Sequence, residues 1–270
     1  MAGQILGDRY QVEHQLGNKA GRWTLLAKDL AGDRLVILKL ISIDEELHPD
    51  SLRLFQREIN TLRHLSHPAI PQYLDCFDID LARDKKALVL VESYVGGTSA
   101  DRYLQQGRTF SEKEARQIAA GVLDVLIYLH GQSPPILHRD IKPSNIVLST
   151  PPKERTRIYL IDFGSVKPGP VDQDRNTILT LLGVQPYTAP EQLGGRVLNT
   201  SDLYSLGMTI KTLIAGQSAG QPNAATRGPD ISSLALSPPF VTWLQRMTSP
   251  NPKARPLSAQ IALHELYQTA

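Results

Sequence analysis

The chain has 270 residues, 41% of them hydrophobic, and a formal net charge of +2. That is ample apolar content for a substantial core, and too even a charge balance for a dedicated nucleic-acid surface. One cysteine, Cys76, excludes an internal disulfide framework and fits a reducing compartment. No apolar run approaches the roughly 20 residues of a membrane-spanning helix, and the N-terminus lacks the charged-then-apolar layout of a secretory signal. The composition predicts a soluble, cytoplasmic domain with no membrane segment.

The first third reads as strands interrupted by one helix. Tyr10–Leu16, Trp23–Asp29 and Arg34–Ile41 are strand candidates separated by glycine-containing turns. Pro49 then opens a helical pattern in which Leu52, Phe55, Ile59 and Leu62 form one apolar stripe. Strands Tyr73–Asp80 and Lys86–Ser93 follow, and Cys76 within the first of them is expected to be a buried, inert thiol. Val95-Gly96-Gly97-Thr98 is the natural hinge, since glycine permits backbone angles that other residues resist.

The remainder reads as mainly helical. Ser111 with Glu114 makes a capping box for a helix to about His130, with Ile118, Val122, Leu126 and Leu129 on one side. A short strand, Arg157–Ile161, and helices over Ser201–Ala215, Pro238–Met247 and Ser258–Tyr267 are expected, with Gly216–Pro229 a loop. The fold class is α+β: a small β-rich lobe over residues 1–95 hinged to a larger α-rich lobe over residues 96–270, with a cleft between them.

The chemistry concentrates in two short loops. His138-Arg139-Asp140-Ile141-Lys142-Pro143-Ser144-Asn145 is followed by Asp162-Phe163-Gly164, which places two carboxylates, a lysine and an amide close together in sequence. Magnesium-assisted phosphoryl transfer needs this set: a carboxylate to accept a hydroxyl proton, a cation to offset phosphoryl charge, and hard oxygen ligands for Mg²⁺. Asp140, Lys142, and the pair Asn145 and Asp162 fit those three tasks in turn. The Asp-Phe-Gly triplet alone is weak evidence; preceded at this distance by His-Arg-Asp and an asparagine it is strong.

With these motifs the chain resembles the bacterial serine/threonine protein kinases of the eukaryotic-like type, from about Tyr10 to Tyr267. The resemblance implies a single bilobal kinase domain over residues 1–270, with ATP and Mg²⁺ as cofactors (Mn²⁺ as an alternative) and protein serine or threonine hydroxyls as acceptors. Lys39, ending Val36-Ile37-Leu38-Lys39, falls where the family holds the α- and β-phosphates, and Glu58 falls at its helical partner. The implied ATP-binding set is Gly17, Lys39, Glu58, Glu92, Ser93, Val95 and Val147, with Asp140 and Lys142 catalytic and Asn145 and Asp162 holding metal. Glu191 of Ala189-Pro190-Glu191, Asp202 and Arg255 match structural positions. Lys142 matches the serine/threonine subclass and speaks against a small-molecule phosphotransferase. Arg139 matches an arginine that docks a phosphate on the activation segment, where Thr177 and Thr180 are candidate phosphosites whose modification raises activity.

Four positions depart from the family pattern. Three of them (the degenerate glycines, Ile37 and Val184) support the alternative of a pseudokinase that binds nucleotide or protein without transfer, which the retained metal and base residues oppose. In the glycine-rich loop only Gly17 is in register; Lys19, Arg22 and Thr24 occupy the following motif positions, and Gly21 is one place early. The side chains of Lys19 and Arg22 are expected to obstruct backbone approach to phosphate. Ile37 replaces a small alanine and is expected to narrow the adenine slot. Glu92 stands at the gatekeeper position, either as a buried carboxylate with raised proton affinity or as an exposed or hydrogen-bonded one with no special role. Gly183-Val184 lacks the threonine that bridges the catalytic aspartate and lysine. His64 and His67, though spaced like a metal pair, read as structural, as does His138, and Trp23 and Trp243 read as packing anchors.

Overall fold

Alternating apolar and polar residues in the first third build an antiparallel sheet in the computed structural model, which describes residues 2–19, 21–43, 49–81, 85–149, 156–168, 186–216 and 229–268. The chain divides into two compact units, Met1–Gly96 and Gly97–Ala270. The first holds β1 (Ile5–Leu6), β2 (Tyr10–Lys19), β3 (Arg22–Asp29), β4 (Arg34–Ile43), α1 (Pro49–His64), β5 (Tyr73–Asp80) and β6 (Lys86–Ser93). The six strands pair in the order β1-β2-β3-β4-β6-β5.

Side chains alternate across a strand, so Val36, Leu38 and Leu40 of β4 join Tyr10, Val12, Leu25, Ala27, Val89 and Val91 in one core layer. Ile37 and Lys39 therefore project from the other face. There α1 covers the sheet with Leu54, Phe55, Ile59 and Leu62 buried, and with Glu58 buried among them. Leu52 of the expected stripe is only half-buried. At the sheet's edge Asp29 is buried beneath Arg9, whose Nε donates to it at 2.7 Å, and this holds its carboxyl down at about 2.

The second unit is built round α3 (Glu112–His130), which begins at the expected capping box: the Glu114 amide donates to Ser111 Oγ at 3.3 Å, and the Ser111 amide to Glu114 Oε2 at 2.9 Å. Ile118, Val122, Leu126 and Leu129 are all buried. Each such aliphatic side chain stabilises the unit by about 1.5–3 kcal/mol. Against α3 pack α5 (Asn199–Ala215) and α7 (Ala259–Gln268), with α6 (Pro238–Met247) against both of these. Trp243 of α6 is an anchor as expected, with its indole N–H donating to Ala262 O at 2.9 Å and its ring stacked on Phe240.

Several short elements were not expected. α2 (Ala100–Gln105) is capped by Ser99 Oγ, which accepts from the Arg102 amide at 3.2 Å, but it buries only Ala100 and Leu104 and so lacks an apolar stripe to read. β7 (Thr98–Ser99) and β9 (Ile146–Ser149) form one small sheet with β10 (Arg157–Leu160), which was expected over Arg157–Ile161; β8 (Ile136–Leu137) and β11 (Lys167–Pro168) form another; α4 is a single turn, Pro190–Leu193. Gly97 is required where β7 meets β9, because a Cβ there would come within 2.5 Å of the Leu148 carbonyl oxygen.

Two expectations change. Cys76 is half-buried rather than buried, although partial desolvation still pushes its thiol pKa up, as an inert role requires. The loop over Gly216–Pro229 lies mostly outside the described residues. Among the described residues no helix is long and apolar enough to cross a membrane.

Candidate active site

Within the first unit, β4 pairs with β6 in a register that sets Ile37 opposite Glu92 and Lys39 opposite Leu90. Directly paired residues of an antiparallel ladder share a face, so Lys39 and Glu92 lie on the side that α1 covers. Lys39 Nζ donates to Glu58 Oε1 at 2.6 Å and stands 3.3 Å from Glu92 Oε1. All three side chains are largely withdrawn from solvent, at 15%, 4% and 5% exposure for Lys39, Glu58 and Glu92. Of the two readings of Glu92, the exposed one is thereby corrected: this carboxylate is buried against an ammonium.

The β2–β3 hairpin pairs as far as Lys19↔Arg22, with register shifts between Val12 and His14 and between Gln15 and Gly17, Gly17 opposite Thr24, and a left-handed Gly21 (φ 75°) in the turn. Glycine suits that turn angle. At Gly17 the fold itself makes no such demand, since among the described residues an added Cβ would meet only Thr24, at 4.0 Å. That leaves open backbone of the kind a phosphate group approaches. The Arg22 guanidinium donates to the Ser51 carbonyl in the first turn of α1 at 2.8 Å. Its expected role as an obstruction is corrected accordingly: the charge is committed to α1. Ser93 is held by Gln72, whose amide donates to its Oγ and whose carbonyl accepts from its amide, both at 2.9 Å. Val95 is half-buried in the irregular stretch after β6.

Within the second unit, the β9–β10 hairpin pairs Ile146 with Leu160, and the Ile161 amide donates to Asn145 O at 2.9 Å. Asn145 immediately precedes the hairpin and Asp162 closely follows it, so the sheet brings the two together although 17 positions separate them in sequence. Val147, also on β9, is buried opposite Tyr159.

Asp140 is fixed from two sides. Lys142 Nζ donates to its Oδ2 at 2.7 Å, and Asn145 Nδ2 donates to its carbonyl at 2.8 Å and to Oδ2 at 3.0 Å. The amide nitrogen of Asn145 is spent on Asp140, and its Oδ1 accepts from Ser144 Oγ at 3.4 Å. Asp162 adopts φ 67° and Arg139 φ 69°, a left-handed conformation that costs non-glycine residues energy and gathers at functional loops.

Asp202 organises this loop from beneath. Fully buried near the start of α5, it accepts from the His138 amide (2.9 Å) and the Arg139 amide (2.8 Å), and His130 Nε2 lies 2.9 Å from its Oδ2. Burial pushes its carboxyl up, but the hydrogen bond from His130 and the nearby positive groups outweigh this and hold it below the usual range. Thr209, two turns along the same face of α5, shares its one hydroxyl hydrogen between Ser205 O at 2.7 Å and Ile141 O at 3.2 Å. His138 is a packed support as expected: burial pushes its imidazole pKa down, and its ring meets Phe163 edge-on at 5.0 Å between centroids. Glu191 and Arg255 form a buried two-pronged pair, with Nη1–Oε1 at 2.6 Å and Nη2–Oε2 at 2.9 Å.

Thr177, Thr180, Gly183 and Val184 lie outside the described residues. His64 and His67 serve local turns: His64 Nδ1 meets Asn60 O at 2.7 Å, and His67 Nδ1 accepts from the Ala69 amide at 3.2 Å. Two contacts escaped sequence reasoning. The His130–Asp202 bond joins the last residue of α3 to the first turn of α5, with no pattern to announce it. The α5 face did carry a signal, because Asp202, Ser205 and Thr209 follow helical spacing.

A sheet carrying a buried lysine–glutamate pair, and a helical unit carrying an Asp-Lys-Asn loop beside an Asp-Phe-Gly turn, are the two parts of a kinase-like phosphotransferase fold. The protein kinase domain family model matches residues 10–267. The chain belongs to that family, whose members use ATP and a divalent metal. It is 31% identical to serine/threonine-protein kinase PknA of Nostoc sp. over 97% of its own length and 48% of that protein. It is 28% identical to serine/threonine-protein kinase B of Synechocystis sp. over 97% of this chain and 46% of the relative, and 28% identical to serine/threonine-protein kinase PrkC of Bacillus subtilis over 80% and 32%. The chain spans about half or less of the length of these relatives.

Proposed function

We propose that this chain is an ATP-dependent protein serine/threonine kinase. The observation that carries the reading is the fixed geometry of Asp140, whose carboxylate is aimed by Lys142 at 2.7 Å and Asn145 at 3.0 Å. In this role Asp140 orients the acceptor hydroxyl and takes its proton, and Lys142 offsets charge on the transferring phosphoryl group. Lys39, steadied by Glu58, holds the α- and β-phosphates, while the open backbone at Gly17 and the segment Glu92, Ser93 and Val95, with Val147, receive the nucleotide.

The donor set fits Mg²⁺, which takes one or two carboxylates and completes its shell with water and phosphate oxygens. Asn145 Oδ1 and the Asp162 carboxylate would hold it, and when bound it supplies charge neutralisation along the triphosphate. Among the described residues no group of three or more His, Cys, Asp or Glu side chains is placed to hold a metal. Arg139 is the dock proposed for a phosphate on Thr177 or Thr180. The cytoplasm, rich in ATP and reducing toward Cys76, is the compartment this chemistry suits.

Radiolabelled ATP with a generic protein substrate, in Mg²⁺ and separately in Mn²⁺, tests the reading. Label should appear on serine and threonine of the substrate and of the chain itself. Lys39→Met should reduce it by roughly 10²-fold or more, since loss of positioning on that scale is expected when an anchoring cation is removed. Nucleotide binding without transfer would establish the scaffold reading instead, and near-full transfer by Lys39→Met would remove Lys39 from its role.

A further inference from the structure

Lys39 is gripped from two elements rather than one. Glu58 reaches it from α1, at 2.6 Å, and Glu92 reaches it from β6, at 3.3 Å. The two anchors differ mechanically. β6 is laced to β4 by ladder hydrogen bonds through the centre of the sheet, from Val36↔Ser93 to Ile43↔Lys86, so Glu92 is fixed relative to Lys39. Glu58 rides on a helix held to the sheet by side-chain packing and by the Arg22–Ser51 bond, with no ladder hydrogen bonds to fix it. An ammonium has three N–H donors: two directed at carboxylates leave the third with a defined direction. Two carboxylates at 4% and 5% exposure sharing one ammonium make an arrangement that a merely packed glutamate would not require.

We propose that Glu92 is a second positioning residue for Lys39, keeping the lysine aimed when its contact with Glu58 is lost. This rests on the reading of Lys39 as the phosphate-holding lysine. It follows that the kinase does not depend on α1 alone to orient Lys39, and that displacement of α1 lowers activity without abolishing it.

The test is a double-mutant cycle in the full chain with Glu58→Gln, Glu92→Leu and their combination. Glu92→Gln is included as a near-isosteric variant that keeps an oxygen acceptor and the fold. The first readout is acylation of Lys39 by an amine-selective reagent at fixed pH without nucleotide, quantified by mass spectrometry. A carboxylate-paired ammonium yields less free amine, so each single variant should acylate a few-fold faster, and the double should exceed the product of the singles by about tenfold. The second readout is single-turnover transfer: Glu58→Gln should retain a measurable fraction of the rate, lost on adding Glu92→Leu and partly kept on adding Glu92→Gln, with the loss in kcat rather than KM. Acylation unchanged by Glu92→Leu in both backgrounds, strictly multiplicative effects, or faster transfer in Glu92→Leu would each overturn the proposal. If wild-type chain transfers no phosphate, the acylation arm still decides the role of Glu92, so the two readings fail separately.

Discussion

Asp140→Ala is expected to lower phosphoryl transfer by about 10²–10⁴-fold, the usual contribution of a positioned general base, while leaving the melting temperature within a few degrees of wild type. The asymmetry follows from geometry. The Asp140 side chain is 12% exposed, and its partner Lys142 is 25% exposed, so removing the carboxylate leaves an ammonium that water reaches. The loop backbone keeps its supports: Asp202 still accepts the His138 and Arg139 amides, and Thr209 still donates to Ile141 O. Asp140→Asn sharpens the test. Its amide oxygen can accept from Lys142 in place of the carboxylate, yet it cannot take a proton from the acceptor. Equal losses in both variants, read by single-turnover assay beside thermal unfolding, would assign the effect to proton acceptance; recovery in Asp140→Asn would assign it to orientation. Asp140→Ala at near wild-type rate would remove Asp140 from the chemistry.

How much of this was legible beforehand depends on where the signal resides. β5, β6 and α6 were readable to the residue, and α3 from its first residue to about its last, because each couples an apolar pattern to a clear boundary, such as the Ser111–Glu114 box or the prolines opening α6. α2 and the two-residue strands were not, because such elements are held by tertiary pairing and have no room for a period to show. The site divides in the same way. Spacing along the chain singled out Asp140, Lys142, Asn145 and Asp162 as candidates, but the adjacency of Asn145 to the Asp-Phe-Gly turn comes from the β9–β10 hairpin. The Glu92–Lys39 contact depends on strand register, which one sequence does not specify. Arg22 carried a misleading signal: counted along the motif it sits where a glycine is wanted, whereas in space it spans from the hairpin to the Ser51 carbonyl of α1.

The largest effect on stability is expected at Arg255. Its guanidinium is almost wholly buried and spends itself on Glu191, on the carbonyls of Ser249 (2.8 Å) and Thr200 (2.9 Å), and over the Tyr204 ring at 4.8 Å. Arg255→Met fills much of the same volume but leaves the Glu191 carboxylate and these carbonyls with no cation. Breaking a buried pair from one side costs about 3–5 kcal/mol, which for a unit of this size corresponds to a fall in melting temperature of roughly 10 °C. Glu191→Gln with Arg255→Met should recover part of the loss, because it removes the stranded charge. The pH dependence has a definite sign. Burial pushes the Glu191 carboxyl up, but the hydrogen bonds from Arg255 and Ser201 outweigh it and hold the folded pKa below its ordinary value of 4.5. The pair's contribution is therefore fully present above that value and is lost as pH falls through the lower, folded one. Wild type and Arg255→Met should accordingly converge in stability as the solution is acidified. A gap between their unfolding curves that stays constant from pH 7 down through the carboxylate range would show that Arg255 acts by packing alone, not by holding Glu191.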